Sequence, residues 1–412
     1  MPAAYDVIIA GGGPAGAAMA ARLVRERSAD RVLVLERYSF PRDKPCGGGL
    51  TGHIDRALAE TGLALEVPAF AARHARVRFG GFERLVALDK PVQVVRREEF
   101  DASLVDQVRR RGVTVIEEEG VEDFVAERDR VRVRTSRGRE LEAAVLVGCD
   151  GAASVVRRQL LDNEKALPHR LFRLELALPL HRAAACRDGA MLYDFTPMRH
   201  GLRGYLWVFP VPGDRVNVGL MHYPAHRLGG PALIDLLREG LADLGIELPA
   251  KGTHGWPAWG YHPAKRISGP RVLAVGDAAG IDGLTGEGIA VAMEQALVAG
   301  DCIDEAFRTG DFGFSGYRRR IRRATVGREL ALDRWLARLL YGGSHWQRWL
   351  SLVLYDPQVI EMYAARVDGS QVLADQKLRL YRALFRHIWR SRSRRRALEL
   401  AGAGAPALAL PA

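Results

Sequence analysis

Three glycines near the N-terminus and one acid beyond them have the types and spacing to hold a nucleotide. Gly11, Gly13 and Gly16 follow the apolar run YDVIIA and satisfy G-x-G-x-x-G, with Ala15 inside the same turn. In such a turn the first glycine permits the bend, the second admits a pyrophosphate, and the third lets helix meet strand. The N–H groups that open the helix face the phosphates. A second apolar run, RVLVLE, ends on Glu36 and is followed by Arg37. An acid about 20 residues past the last glycine accepts hydrogen bonds from ribose hydroxyls and disfavours a 2′-phosphate. FAD or NAD is therefore expected rather than NADP.

A distant segment decides between them. RVLAVGDAAG is another buried strand, ending in Gly276 and Asp277, and a glycine turn with Gly286 and Gly288 then opens a long helix at Ile289. An acid after a strand can bind the hydroxyls of a ribityl chain. The positive end of the helix can stabilise the charge that a reduced flavin carries. FAD is the cofactor this pairing favours.

The third candidate is a thiol on bare backbone. Cys46 stands before three glycines in KPCGGGL, and the other cysteines, Cys149, Cys186 and Cys302, lie far from it in sequence. Nothing has CxxC or Cys/His spacing, so neither a disulfide framework nor a metal site is expected.

These segments together resemble the FAD-dependent oxidoreductases of the para-hydroxybenzoate hydroxylase type, and within them most closely the geranylgeranyl reductase family. RREEFD with Arg97, and CDGAAS with Asp150 and Gly151, look like further FAD-contacting segments. The resemblance implies that Arg97 neutralises phosphate charge and that Asp150 sits beside the pyrophosphate. It also implies that Cys46, Gly47 and Gly48 pass close to the flavin ring. YLWVFP is similar to that family's substrate-cavity motif, with Tyr205, Trp207 and Phe209 on one face of a strand. Gly219 is its continuation, and Met221 replaces a second glycine.

The activity so implied is saturation of carbon–carbon double bonds in a prenyl chain on a lipid, quinone or diphosphate, with hydride from flavin N5. Cys46 is then the candidate proton donor, with loop contact and simple packing as its other readings. The alternative is a monooxygenase or halogenase, since the same lobe serves both. Electrons would come from NAD(P)H or from a partner such as reduced ferredoxin.

The elements that position these residues follow from pattern. The expected fold is α/β, a Rossmann-like FAD-binding lobe interleaved with an antiparallel β-sheet substrate lobe, plus a C-terminal helical cap. The FAD lobe is placed at 1–72, 92–160 and 271–307, the substrate lobe at 73–91 and 161–270. Helical periodicity runs over 308–398, and 399–412 reads as a mobile tail. HARVRFGGFERLVAL alternates about a glycine pair and reads as a hairpin.

The formal charge of +11 is concentrated in YRRRIRR and RHIWRSRSRRR. Without a nucleic-acid motif, these runs read as solvated faces or as contacts to anionic lipid, not to nucleic acid. The expected location is cytoplasmic, with a peripheral contact to the inner face of the membrane.

Overall fold

The computed structural model describes residues 4–160, 169–178, 184–223, 230–249, 253–281 and 283–400. The tail expected at 399–412 lies outside them from 401 onward.

The runs YDVIIA and VLVL become the parallel strands Tyr5–Ala10 and Val32–Leu35. Their lack of alternation has a plain cause: a parallel sheet covered on both faces buries every side chain, and Val32–Leu35 is wholly buried. Glu140–Gly148, Val272–Ala274 and Thr114–Ile116 extend this sheet in parallel. Helix Pro14–Leu23 lies on it with Ala17, Ala18, Ala20 and Ala21 buried. These small residues let the long helix Ile289–Thr309 approach closely through Ala292, Ala296 and Ala299.

A second sheet runs in the order His254–Ala258, His169–Leu176, Arg215–His222, Gly204–Val211, Ala190–Asp194, Ala69–Phe79, Phe82–Val95, Gly49–Leu50. Its pairings are antiparallel except one: Ala190–Asp194 runs parallel to Ala69–Phe79. The expected hairpin is present as Ala69–Phe79 and Phe82–Val95. Gly204–Val211 is buried at every position because its two faces have different covers. Leu206 and Val208 pack with Leu233 and Leu237 of helix Gly230–Ala242. Tyr205, Trp207 and Phe209 belong to a separate cluster on the other face.

From Tyr317 the chain is helical, as its periodicity predicts, through Tyr317–Arg323, Thr325–Tyr341, Trp346–Tyr355, Pro357–Val367 and Lys377–Leu400. Asp356 caps Pro357–Val367 by accepting from Gln358 N (3.0 Å) and Val359 N (3.3 Å), with proline in the first turn. This helix carries Arg366 and Val367 to the wall of the cavity described next.

Candidate functional site

One cavity of about 240 Å³ runs from the glycine turn to the aromatic strand. Gly11, Gly13, Ala15, Glu36, Arg37, Cys46, Gly47, Gly48, Arg97, Asp150, Gly151, Asp277, Gly286, Gly288 and Ile289 line it, as do Tyr205, Trp207 and Phe209. Gly16, Gly276 and Gly219 do not.

At the first end, backbone geometry does the positioning. Gly11 has φ +96°, and its N–H donates to Leu35 O at 2.7 Å. A Cβ on Gly16 would collide with Gly11 O, so Gly16 serves helix packing and not ligand contact. A Cβ on Gly13 would meet only the Arg42 guanidinium, 3.3 Å away. Gly13 is therefore bare toward open space. Glu36 is buried and accepts from Gly12 N (2.8 Å) and Tyr38 N (3.1 Å).

The cations of this end form a chain. Asp101, fully buried at the start of helix Arg97–Arg110, accepts from Arg97 Nε (2.8 Å) and Nη2 (2.9 Å). Its Oδ2 is also 3.3 Å from Arg42 Nη1, while Arg42 Nε lies 3.5 Å from Glu36 Oε1. Burial penalises the Arg97 cation, but the charge of Asp101 outweighs it and holds Arg97 above the ordinary guanidinium value. Arg42, absent from the sequence expectations, is the cation nearest the glycine turn. It lies in an irregular loop, where neither motif nor periodicity marks it.

Asp150 Oδ2 accepts from Val155 N at 2.7 Å, while its buried Oδ1 has no hydrogen-bond partner. Burial pushes this carboxyl upward. Lys44 Nζ sits 3.4 Å from Asp277 Oδ2 and 4.7 Å from the centre of the Trp256 ring. Burial pulls its ammonium below the usual lysine value, against the attraction of Asp277. Gly276, at φ +67°, is held by Gln295, whose Oε1 accepts from Gly276 N at 2.7 Å. It orients Asp277 without itself facing the cavity.

At the second end the site is tied together across the chain. Trp207 Nε1 donates to Asn217 Oδ1 (3.0 Å), and Asn217 Nδ2 donates to Cys46 O (2.8 Å). The aromatic strand and the cysteine loop thus share one asparagine. Two loop glycines are required by the protein's own packing. A Cβ on Gly47 would press on the Phe209 ring at 2.8 Å, and Gly48, at φ +79°, lies against Val95 O. Cys46 is a partly exposed free thiol within reach of the Arg97 guanidinium.

Gly219 pairs across the sheet with Trp207, and a Cβ there would collide with the indole. It seats Trp207 and does not touch the cavity, so its expected substrate contact is corrected. Met221, in place of the second glycine, puts Sδ 3.2 Å from the Cβ position of Gly286. Tyr193 was not anticipated. It lies opposite Trp207 in the sheet and packs on Tyr205 (5.5 Å) and Phe209 (5.1 Å). Only the strand register reveals that position.

Three tethers hold the loop 284–288. Tyr205 Oη donates to Thr285 O, Tyr341 Oη donates to Leu284 O at 3.0 Å, and Glu287 Oε2 lies 3.1 Å from Arg366 Nη1. Arg366, 2% exposed, also pairs with Asp333 and lies 3.5 Å from Glu329 Oε2. The helical cap therefore contributes a buried cation to the site, which the sequence alone does not indicate.

The cavity suits FAD on its own terms. Gly13 leaves room for a phosphate, and Asp150 Oδ1 and the buried Trp256 Nε1 lack protein partners on residues that line the same space. A family model described as FAD binding domain matches residues 4–311. The chain belongs to this family. It is a FAD-dependent oxidoreductase by that membership and by its relatives, several of which are named as reductases. A menaquinone reductase of Mycobacterium tuberculosis is 28% identical over 73% of this chain and 76% of its own length. A digeranylgeranylglycerophospholipid reductase of Methanothermobacter thermautotrophicus is 28% identical over 74% of this chain and 79% of its own.

Among solved structures, a geranylgeranyl bacteriochlorophyll reductase-like protein from Thermoplasma acidophilum superposes with a TM-score of 0.70. It is 18% identical and covers 90% of this chain and 98% of its own. A p-nitrophenol 4-monooxygenase from Pseudomonas putida reaches 0.68 at 18% identity, covering 88% and 97%. The fold is thus shared by reductases and oxygen-using enzymes and does not choose between them. Among the described residues, no helix is long and apolar enough to cross a membrane.

Proposed function

We propose that this protein reduces carbon–carbon double bonds in a prenyl chain carried on a lipid or quinone headgroup. The observation that carries the reading is the aromatic wall of Tyr193, Tyr205, Trp207 and Phe209, which faces the same cavity as Cys46 and is bonded to its loop through Asn217. An isoprenoid chain is flexible and apolar, and aromatic side chains bury it without demanding hydrogen bonds. The names of the menaquinone and digeranylgeranylglycerophospholipid reductases support the substrate class.

Bound FAD, once reduced, supplies the hydride. Gly13, the opening of helix Pro14–Leu23, Glu36, Arg42 and Arg97 would hold its nucleotide, and Asp277 with the loop 284–288 would hold its ring side. Cys46 holds a proton at Sγ beside the aromatic wall, and the Arg97 guanidinium offsets the negative charge left when that proton moves. The wall excludes water and aligns the alkene. Electrons reach the protein from NAD(P)H or from a small redox protein.

The test is mass spectrometry of products after anaerobic incubation of dithionite-reduced protein with a menaquinone or with geranylgeranyl diphosphate. A gain of two hydrogens per reacted bond is expected. Products that form only in air with NAD(P)H and carry an added oxygen or halogen would overturn the reading.

A further inference from the structure

The helix Lys377–Leu400 turns its large apolar residues to the wrong side for a soluble protein. Leu378 is 73% exposed, Phe385 70%, Trp389 64% and Tyr381 46%. At 100° per residue, Leu378, Phe385 and Trp389 fall within about 40° of one another, with Tyr381 beside them. The stripe is about 16 Å long at the helical rise. The opposite face is a normal core face: Leu380, Ala383 and Leu384 are buried with Leu332 and Met362. Trp335 of helix Thr325–Tyr341 stacks edge-on against Tyr381, 5.7 Å between centroids, and widens the patch onto a second helix.

Charge flanks the stripe on one side. Arg379, Arg382 and Arg386 follow at neighbouring helical angles. Arg379 Nη1 donates to Gln376 Oε1 at 3.1 Å and Arg386 Nη2 to Gln358 Oε1 at 2.6 Å, both neutral amides. Among the described residues, none of the three is paired with a carboxylate. The sequence has no acid between Asp375 and Glu399, while arginine recurs through Arg396. The other basic run differs: within Tyr317–Arg323, Arg320 pairs with Glu305 and Tyr317 and Ile321 are buried, so that helix is an ordinary solvated face.

We propose that this helix docks the protein on an anionic bilayer surface, with Leu378, Phe385 and Trp389 in the acyl boundary and the arginines at the phosphates. Exposed aliphatic and aromatic groups set beside unneutralised arginine are the signature of a helix that lies in a membrane interface. A second protein copy fits less well, because two such faces would bring like charges together. The same cap supplies Arg366 and Val367 to the cavity wall, so docking would set the site beside the phase that holds a prenyl lipid. The purpose rests on the reductase reading, but the surface does not, and its test contains no substrate.

Flotation of the full FAD-loaded chain with phosphatidylcholine vesicles, with and without phosphatidylglycerol, reads the interaction. Binding to the anionic vesicles that weakens with added salt is expected. Replacing Arg379, Arg382 and Arg386 by Gln should weaken it on the order of a hundredfold, since each arginine near such a surface contributes about a factor of five. The variant L378S/F385S/W389S should lose binding. Both variants should keep the flavin spectrum and unfold close to the wild-type temperature, because five of the six positions are exposed and the sixth, Arg386, gives up only a surface hydrogen bond to Gln358. The emission difference between wild type and Trp389→Phe should shift to the blue on anionic vesicles. Absence of binding, or binding unchanged in L378S/F385S/W389S, would overturn the proposal. So would a dimer in sedimentation velocity that this variant abolishes, since a second copy would then cover the face.

Discussion

At the glycine-turn end of the cavity the partners are backbone groups and side chains on adjoining strand ends, with Gly11 bonded to Leu35 O and Gly12 to Glu36. At the aromatic end, Asn217 joins Trp207 to Cys46, and Arg366 reaches Glu287 from helix Pro357–Val367 of the C-terminal cap. The first end is specified by conformation and by missing side chains. The second depends on buried and half-buried polar tethers between distant segments. Damage at the first end should therefore cost cofactor, and damage at the second should cost stability and rate while leaving the nucleotide bound.

Gly13→Val gives the largest effect. The new side chain would fill the space that a phosphate must enter, while its Cβ meets only the Arg42 guanidinium and no backbone. Purified protein should lack the visible flavin absorbance and unfold with the transition of FAD-free wild type. A full yellow spectrum would contradict the assignment of this end. Gly16→Val makes the contrast, since it collides with Gly11 O and should impair folding itself.

Arg366→Met tests the other end. It leaves Glu287, Glu329 and Asp333 around a buried position without their shared cation. Removing one partner of a buried ion pair costs about 3–5 kcal/mol. Chemical denaturation should show a loss of that order, with flavin still bound at low temperature. An unchanged midpoint would mean that the cap is held by its apolar contacts alone.

The contrast also explains what could be read from the sequence. The strand runs, the Gly11–Gly16 turn, Glu36 and Asp277 are legible because each signal lies within one strand-turn-helix unit, where spacing fixes geometry. The aromatic face of Gly204–Val211 is legible for the same reason, as period two holds within a strand. Tyr193 needs the pairing register, and Arg42 needs the path of a loop. Arg366 looks like any helical arginine until Glu287 is placed beside it. The packing role of Gly47 and of Gly219 is not legible, because the ring each accommodates, Phe209 or Trp207, arrives from another strand.

Asn217→Leu and Cys46→Ala separate positioning from chemistry at the second end. The leucine leaves the Trp207 N–H and the Cys46 carbonyl without their partner, and each buried unpaired group costs about 1–3 kcal/mol. Asn217→Leu should therefore lower stability by at least about 2 kcal/mol and also slow substrate-dependent reoxidation of the reduced protein. Cys46→Ala should slow the same single turnover with a stability change under about 1 kcal/mol. Equal rates in Cys46→Ala and wild type would reduce the thiol to packing.

The smallest effect concerns His53, at the start of helix Ile54–Thr61, with Nδ1 3.2 Å from Glu294 Oε1. The hydrogen bond to Glu294 outweighs burial and holds the imidazole above its ordinary value of 6.5. A cation whose folded value is raised adds stability that is fully present below the unfolded value and disappears as pH rises through the folded one. The difference in unfolding free energy between wild type and His53→Gln should thus be largest below pH ~6.5 and shrink on the alkaline side. Glu294 has a second cation, Arg56, at 2.7 Å, half exposed to water. If the difference stays flat with pH, Arg56 alone answers the carboxylate and His53 is neutral there. A pH-dependent difference instead makes His53 a charged tether of the aromatic end, as Arg366 is on the side of the cap.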